Sequence, residues 1–259
     1  MRQAADETAG GGLHPIVLIP ARLAATRLPR KPLADLNGHP MIVQVWRRAV
    51  AAGIGPVVVA CADSEIAEAI ERVGGRAILT DPAHPSGSDR IHEALHRLDP
   101  GGHHDIVVNL QGDLPTVAPA VVRAVLAPFA DPAAEIATLA ATIRDAAERT
   151  AASVVKAVVP FAPGAPAGSI ARALYFTRVA APGGPGDHYH HIGLYAFRRA
   201  ALDRYVGLPR GVLEERERLE QLRALEAGMR IDVVLVDTVP LGVDTPDDLV
   251  RARILLASA

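Results

Sequence analysis

Four cations crowd ten positions behind the first apolar run of this chain: in VLIPARLAATRLPRKPLADLNGHPMI, residues 17–42, Arg22, Arg27, Arg30 and Lys31 follow VLIP. Pro20 stiffens the start of the loop, and Ala21, Ala24 and Ala25 let a ligand approach the backbone. Arg22 and Lys31 then supply positive donors suited to a polyphosphate. The same residues also read as an ordinary solvated basic loop. Two aspartates complete a possible site. Asp113 follows an apolar run in NLQGD, where Gly112 permits a tight turn, and Asp244 ends another run in GVDTP. Mg2+ takes oxygen ligands, commonly one or two carboxylates with phosphate oxygens and water, so two strand-end aspartates match a nucleotide–metal site. DTPDD equally fits a capped helix start, which leaves Asp244 with two readings.

Short β-branched runs at 16–19, 57–61, 77–79 and 106–110 alternate with amphipathic stretches at 41–52, 64–73 and 88–98. That alternation predicts βαβ units and a mostly parallel sheet within an α/β fold. Ligands of such sheets bind beyond the carboxyl ends of the strands, so the loops beginning at Pro20, at Ala62 and Asp63, and at Gln111 should face one cleft. Further strands are expected at 136–142, 154–159, 173–176, 191–197 and 231–236. Helices are expected over 212–227 and over 246–256, the latter with Thr245 as its cap and Pro246 in its first turn. The Pro/Gly-rich piece 180–187 reads as a mobile loop. With no repeat and no linker, 13–259 is one domain behind a flexible tail of 1–12, with a β-rich insertion formed by 154–197 and 205–212.

The 259 residues carry 27 Lys and Arg against 29 Asp and Glu, a formal charge of -2, so no global basic field exists for nucleic acid or anionic lipid. The start lacks the apolar centre of a signal peptide, and no run is long enough to span a membrane, which points to the cytoplasm. The single Cys61 lies in VVVACA and reads as a buried, inert thiol. Only Lys31 and Lys156 are lysines; all other basic residues are Arg. This bias implies a GC-rich genome, in which a retained Lys is a candidate for work a guanidinium cannot do. Neither GxxxxGK[ST] nor GxGxxG occurs, so Walker-type and dinucleotide sites find no support.

The run IPARLAATRLPRKPLADLNGHPMI resembles the opening motif of the CMP-Kdo synthetases, the 3-deoxy-manno-octulosonate (Kdo) cytidylyltransferases. The resemblance continues through ADSEIAEAIERVGG, DPAHPSGSDRIHEA, DIVVNLQGDLP, ALYFTR, HIGLYAFRR, LEQLR and GVDTPDDL, in order and across almost the whole chain. It implies a Rossmann-like nucleotidyltransferase of three αβα layers, usually a homodimer, that joins CTP to an acidic acceptor with Mg2+ and releases pyrophosphate. By the family pattern, Arg22 and Lys31 hold the triphosphate and Asp113 and Asp244 the metal. Ser86, Gly87, Asp89 and Arg90 belong to the loop that reads cytosine. Gln111, Arg178, His191, Tyr195, Glu220 and Gln221 face the acceptor.

The chain departs from that pattern at Arg30 for Gly, Leu114 for Glu, Thr177 for Ser, His190 for Arg or Lys, and in PRGVLEERERLEQ. Apart from Arg30, these lie in the acceptor half. Together with the codon bias, which also suits natural-product producers without lipopolysaccharide, they favour a small phosphonate acceptor such as phosphonoformate, with Kdo as the alternative. A non-catalytic nucleotide-binding relative is disfavoured by the retained Arg22, Lys31, Asp113 and Asp244. Sugar-1-phosphate nucleotidyltransferases usually open with a glycine-rich loop where this chain has IPAR. HYHH at 188–191 puts His188 and His190 on one strand face, but no further His or Cys pattern supports a transition metal there.

Overall fold

The computed structural model describes residues 12–24 and 27–257. The expected tail falls almost wholly outside the described residues, as does Ala25.

Strand β1 (Pro15–Ala21) has six of its seven residues buried, because it is covered by a neighbouring strand on each side and by helices on both faces. A hairpin, β2 (Asp35–Leu36) and β3 (His39–Pro40), turns through Asn37 and Gly38, both at positive φ. Helix α1 (Met41–Ala52) closes on Gly53 at φ 64. β4 (Val57–Cys61), α2 (Ser64–Glu71), β5 (Arg76–Leu79), α3 (Gly87–Leu98) and β6 (Ile106–Asn109) complete the first half, within a few residues of the predicted runs.

The second half comprises α4 (Pro119–Ala124), β7 (Ile136–Thr142), α5 (Ala146–Thr150), β8 (Lys156–Val158), β9 (Ile170–Arg172) and β10 (Tyr175–Thr177). After these come β11 (Tyr189–Arg198), α6 (Arg199–Val206), α7 (Val212–Glu217), α8 (Gln221–Glu226), β12 (Ile231–Val236) and α9 (Pro246–Ala257). The sheet runs β5–β4–β1–β6–β11–β7–β12–β9, with β8 and β10 paired beside β11. β11 and β9 oppose the other six strands. β11 therefore lies in the middle of the sheet, between β6 and β7, and not within an appended β-rich piece. Residues 180–187 contain no helix or strand.

Alternate residues of β1 sort the core into two layers. Val17, Ile19 and Ala21 meet α1, α2 and α4, whereas Ile16 and Leu18 meet α3, α6 and α8. This is the three-layer αβα arrangement expected of the family. A third cluster packs α9 through Leu249 and Ala252 against Leu36, Met41 and Val243, anchoring the chain end that carries Asp244. Cys61 is fully buried, its thiol points at the Ile78 carbonyl, and burial pushes its pKa up to about 11.

One predicted helix is two. Over 212–227 the helix stops at Arg218, which adopts the left-handed conformation at φ 56, while Leu219 N donates back to Glu214 O at 3.2 Å. Arg223 then grips the buried Glu214 carboxylate with two hydrogen bonds of 2.8 and 2.6 Å, fixing α8 against α7. Apolar periodicity alone could not reveal the break, because Leu219, Leu222 and Leu225, whose helical spacing marks the segment, all follow Arg218.

Candidate active site

Two cavities open on the carboxyl side of the parallel strands. The first, about 410 Å3, is walled by Pro20 and Ala21 at the end of β1, by Arg22, Arg27 and Lys31 from the segment after it, and by Gln111, Gly112 and Asp113 after β6. Ser86, Gly87 and Arg90 at the start of α3, His84 and Asp244 close it. The end of β1 and the turn after β6 come so close that a Cβ on Gly112 would lie 2.9 Å from Pro20 O. Close approach, at a φ any residue could adopt, is what demands glycine here.

Lys31 Nζ lies between the two aspartates, 2.9 Å from Asp113 Oδ2 and 3.0 Å from Asp244 Oδ1. Burial pulls its pKa down, and the two carboxylates outweigh that pull, so the net shift is upward and the ammonium stays charged. Arg27 adds a contact of 3.1 Å to Asp244 Oδ2. The α9 cap is made without the Asp244 side chain: Thr245 Oγ1 accepts from Asp248 N, and the Asp248 carboxylate accepts from the backbone N–H groups of Asp244 and Thr245. Of the two readings of Asp244, the geometry favours the one in which its carboxylate faces the cavity. Two carboxylates converging on a single cation form the donor set a Mg2+ ion takes, so the residues fit the metal that the family implies.

Arg22 is exposed on the cavity wall and has no carboxylate partner among the described residues. Arg30 stands at φ 54, which explains why glycine suits this position, and its exposed side chain pairs with Glu65. Ser86 Oγ accepts from Asp89 N at 3.1 Å and donates to Asp89 Oδ2 at 2.6 Å, so Asp89 serves the α3 cap and is not on the wall. Arg90 is buried; its Nη1 donates to Thr80 and Asp81 O, while its Nη2 has no partner on the protein. A buried, unpartnered guanidinium nitrogen is a costly feature that a ligand acceptor would relieve. Ala62 and Asp63 are off the wall. Asp63 instead accepts from Leu23 N at 2.8 Å and braces the loop after β1.

The second cavity, about 290 Å3, shares Gly87 and Gln111 with the first. Its walls include the expected His191, Tyr195, Glu220 and Gln221, and also Asn109, Tyr205 and Arg218. Aromatic contacts run from Phe176 through His191, Tyr195 and Phe197 to Tyr205, at centroid spacings of 4.9 to 6.1 Å. Thr138 Oγ1 lies 2.9 Å from Leu194 O and 3.1 Å from Ile192 O, so its one proton goes to a carbonyl. It must then accept from His191 Nε2 at 3.1 Å, which assigns the ring proton to Nε2 and leaves Nδ1 an acceptor. Gln221 Nε2 is buried without a partner.

Burial lowers the His191 pKa to about 3, from an ordinary 6.5. The unfolded chain therefore takes up this proton first, so the contribution is complete above pH 6.5 and is lost as pH falls toward 3. At pH 5 the loss is about 2 kcal/mol. Urea unfolding at pH 7.5 and 5.0 should show that drop in the wild type, and His191→Gln should remove this component of it.

Arg178 is not on the acceptor wall, contrary to expectation. Its guanidinium donates to Glu217 O at 3.1 Å, Ala152 O at 3.1 Å and Arg218 O at 3.4 Å, holding the break between α7 and α8. Arg178→Ala should therefore raise the acceptor KM about tenfold while leaving the CTP KM unchanged, a split that initial-rate kinetics resolve. Arg218 and Tyr205, by contrast, reach the cavity without being among the expected site residues, although Arg218 lies in the departing segment PRGVLEERERLEQ. Their placement follows from tertiary packing alone. His84 carries a weak signal, just ahead of the serine-rich loop; it contacts Glu93 at 2.6 Å.

Of the departures that suggested a different acceptor, Leu114, Thr177 and His190 lie away from this cavity, whereas the segment PRGVLEERERLEQ supplies Arg218, Glu220 and Gln221 to its wall. Leu114 is buried in the core on the α1 and α4 side of the sheet. Thr177 Oγ1 donates to Glu217 Oε1 at 3.0 Å, as a serine hydroxyl would. His190 faces a separate cavity beside Thr116 and Leu255, 3.4 Å from Glu148.

A family model described as Cytidylyltransferase matches residues 16–231. The chain is 65% identical over 243 residues to a 3-deoxy-manno-octulosonate cytidylyltransferase of Rhodospirillum centenum, covering 94% of this chain and 93% of that protein. It is 62% identical over 244 residues to the protein of that name from Paramagnetospirillum magneticum, covering 94% and 98%. The solved structure of a CMP:2-keto-3-deoxy-manno-octonic acid synthetase complexed with CTP superposes with a TM-score of 0.86 at 39% identity, covering 95% of this chain and 99% of that one. These relatives, and the position of Leu114, Thr177 and His190, give the phosphonate preference no support. Among the described residues no helix is long and apolar enough to cross a membrane. Matches that span nearly the full length of both partners at this identity mean that the chain is a CTP-dependent cytidylyltransferase and belongs to the 3-deoxy-manno-octulosonate cytidylyltransferase family.

Proposed function

We propose that the protein transfers CMP from CTP to Kdo, with release of pyrophosphate. The observation that carries this reading is the second cavity, which keeps the family's His191, Tyr195, Glu220 and Gln221 on its walls and meets the nucleotide cavity at Gln111. Arg218 is the one permanently cationic side chain on that wall, and a sugar acid requires such a partner for its carboxylate. Tyr195, Gln221 and His191 on the same wall would offer hydrogen bonds to its hydroxyls.

In this reading the acceptor oxygen attacks the α-phosphorus as the bond to the pyrophosphate oxygen breaks. Arg22 and Lys31 sit where negative charge accumulates on the departing pyrophosphate. Asp113 and Asp244 would hold Mg2+, which when bound neutralises phosphate charge and polarises the phosphoryl group. Arg90 Nη2 is positioned to donate to the base, and an unpartnered donor penalises a base that cannot accept from it. The active form in this reading is a homodimer, as the resemblance implies.

The test is pyrophosphate release from CTP and Mg2+ in the presence of Kdo. Release of one equivalent per Kdo consumed supports the reading, and no release above the acceptor-free rate contradicts it.

A further inference from the structure

On the α3 face of the sheet, away from both cavities, His92 and His96 stand one helical turn apart on α3 and face Asp203 on α6. Spacing of four residues puts both rings on one side of a helix, one above the other. Their Nε2 atoms converge on the same oxygen, Asp203 Oδ1, at 3.0 and 2.8 Å, and the rings meet edge to face at 4.5 Å. Among the described residues this is the only group of three His, Cys, Asp or Glu side chains whose ligand atoms all lie within 4.8 Å of one another. The side chains are 28, 46 and 41% exposed, open enough for an ion to enter and for water to complete its shell.

We propose that His92, His96 and Asp203 form a binding site for a divalent transition-metal ion of the Zn2+ class, bridging α3 to α6. Two imidazoles and one carboxylate are a Zn2+ donor set, and three protein ligands plus water is the usual composition of an open site. Imidazole nitrogen also separates this site from the Asp113–Asp244 pair, whose all-oxygen donors suit Mg2+. On binding, each neutral ring presents the Nε2 lone pair and carries its proton on Nδ1. The hydrogen bonds to Asp203 give way to bonds from all three residues to the ion. Any ring protonated beforehand releases one proton to solvent.

The bridge joins elements that serve the two cavities. α3 begins at the Ser86–Arg90 segment beside the nucleotide cavity, and α6 carries Tyr205 on the wall of the second. An ion holding α3 to α6 would therefore stabilise the fold without touching a reacting group.

The test titrates the full-length protein, in buffer with excess Mg2+, with Zn2+ against a chromophoric chelator, alongside thermal unfolding with and without Zn2+. The expected result is one equivalent of Zn2+ that Mg2+ does not displace, with a rise in Tm by mass action. His92→Ala and His96→Ala should each weaken binding about tenfold or more and abolish the Tm shift, while activity without Zn2+ is unchanged. Asp203→Asn, which keeps side-chain shape and acceptor geometry, should weaken binding in the same direction. A control, His103→Ala with His104→Ala, should bind as the wild type does. The proposal is overturned if the wild type retains no Zn2+ equivalent, or if the double variant at 92 and 96 binds it undiminished.

Discussion

Asp113→Asn should lower kcat by about 10³-fold, roughly 4 kcal/mol in the barrier, with the fold intact. The side chain is only partly buried and the replacement is isosteric, so packing is preserved. What is removed is one of two anionic oxygens facing the nucleotide cavity. A neutral amide holds a divalent cation and the Lys31 ammonium weakly, and both act on charge that grows during transfer. Far-UV circular dichroism and Tm should match the wild type, while single-turnover rates of pyrophosphate release collapse. A kcat within tenfold of wild type would remove Asp113 from the reacting centre.

Lys31→Met should produce two effects of opposite sign. It keeps side-chain length and loses the charge, so stabilisation of the departing pyrophosphate disappears and kcat/KM for CTP falls about 10²- to 10³-fold. In the free protein, Lys31 bridges Asp113 and Asp244, occupying the same oxygens a divalent ion needs. Removing it leaves those carboxylates uncompensated and should raise the affinity of the free protein for Mg2+ or Mn2+. Calorimetric titration with Mn2+ measures that gain independently of turnover. Weaker Mn2+ binding in the variant would show that Lys31 does not compete for those oxygens.

The nucleotide half of this molecule was legible in its sequence for a physical reason. Strands buried on both faces write continuous apolar runs, and the loops that follow them wall the first cavity, so Arg22, Lys31, Gln111 and Asp113 could be placed there from the sequence. Lysine scarcity proved informative twice. Lys31 fits between two carboxylates, and Lys156 is fully buried with its three protons directed at the carbonyls of Ala151, Val154 and Arg178, at 2.6, 2.8 and 3.0 Å. A compact ammonium fits that tripod and a planar guanidinium does not.

The acceptor half was harder to read because its residues come from chain segments far apart, and their roles depend on backbone irregularities that leave no periodic signal. The left-handed Arg218 divides what reads as one helix, and that division is what delivers Arg218, Glu220 and Gln221 to the cavity wall. Arg178 shows the converse: its place in a family motif is kept, yet its guanidinium supports the break and does not line the pocket. Departures from the family pattern likewise misled when read by position alone. Leu114 follows Asp113 directly, but the turn after β6, in which Leu114 N donates to Gln111 O, directs its side chain into the core.

The most direct measurement of the central claim is a competition in one vessel: CTP, Mg2+, equimolar Kdo and phosphonoformate, with products separated and weighed by mass spectrometry. CMP-Kdo should be the product, with phosphonoformate unconsumed. Accumulation of the CMP-phosphonate with Kdo left intact would contradict it.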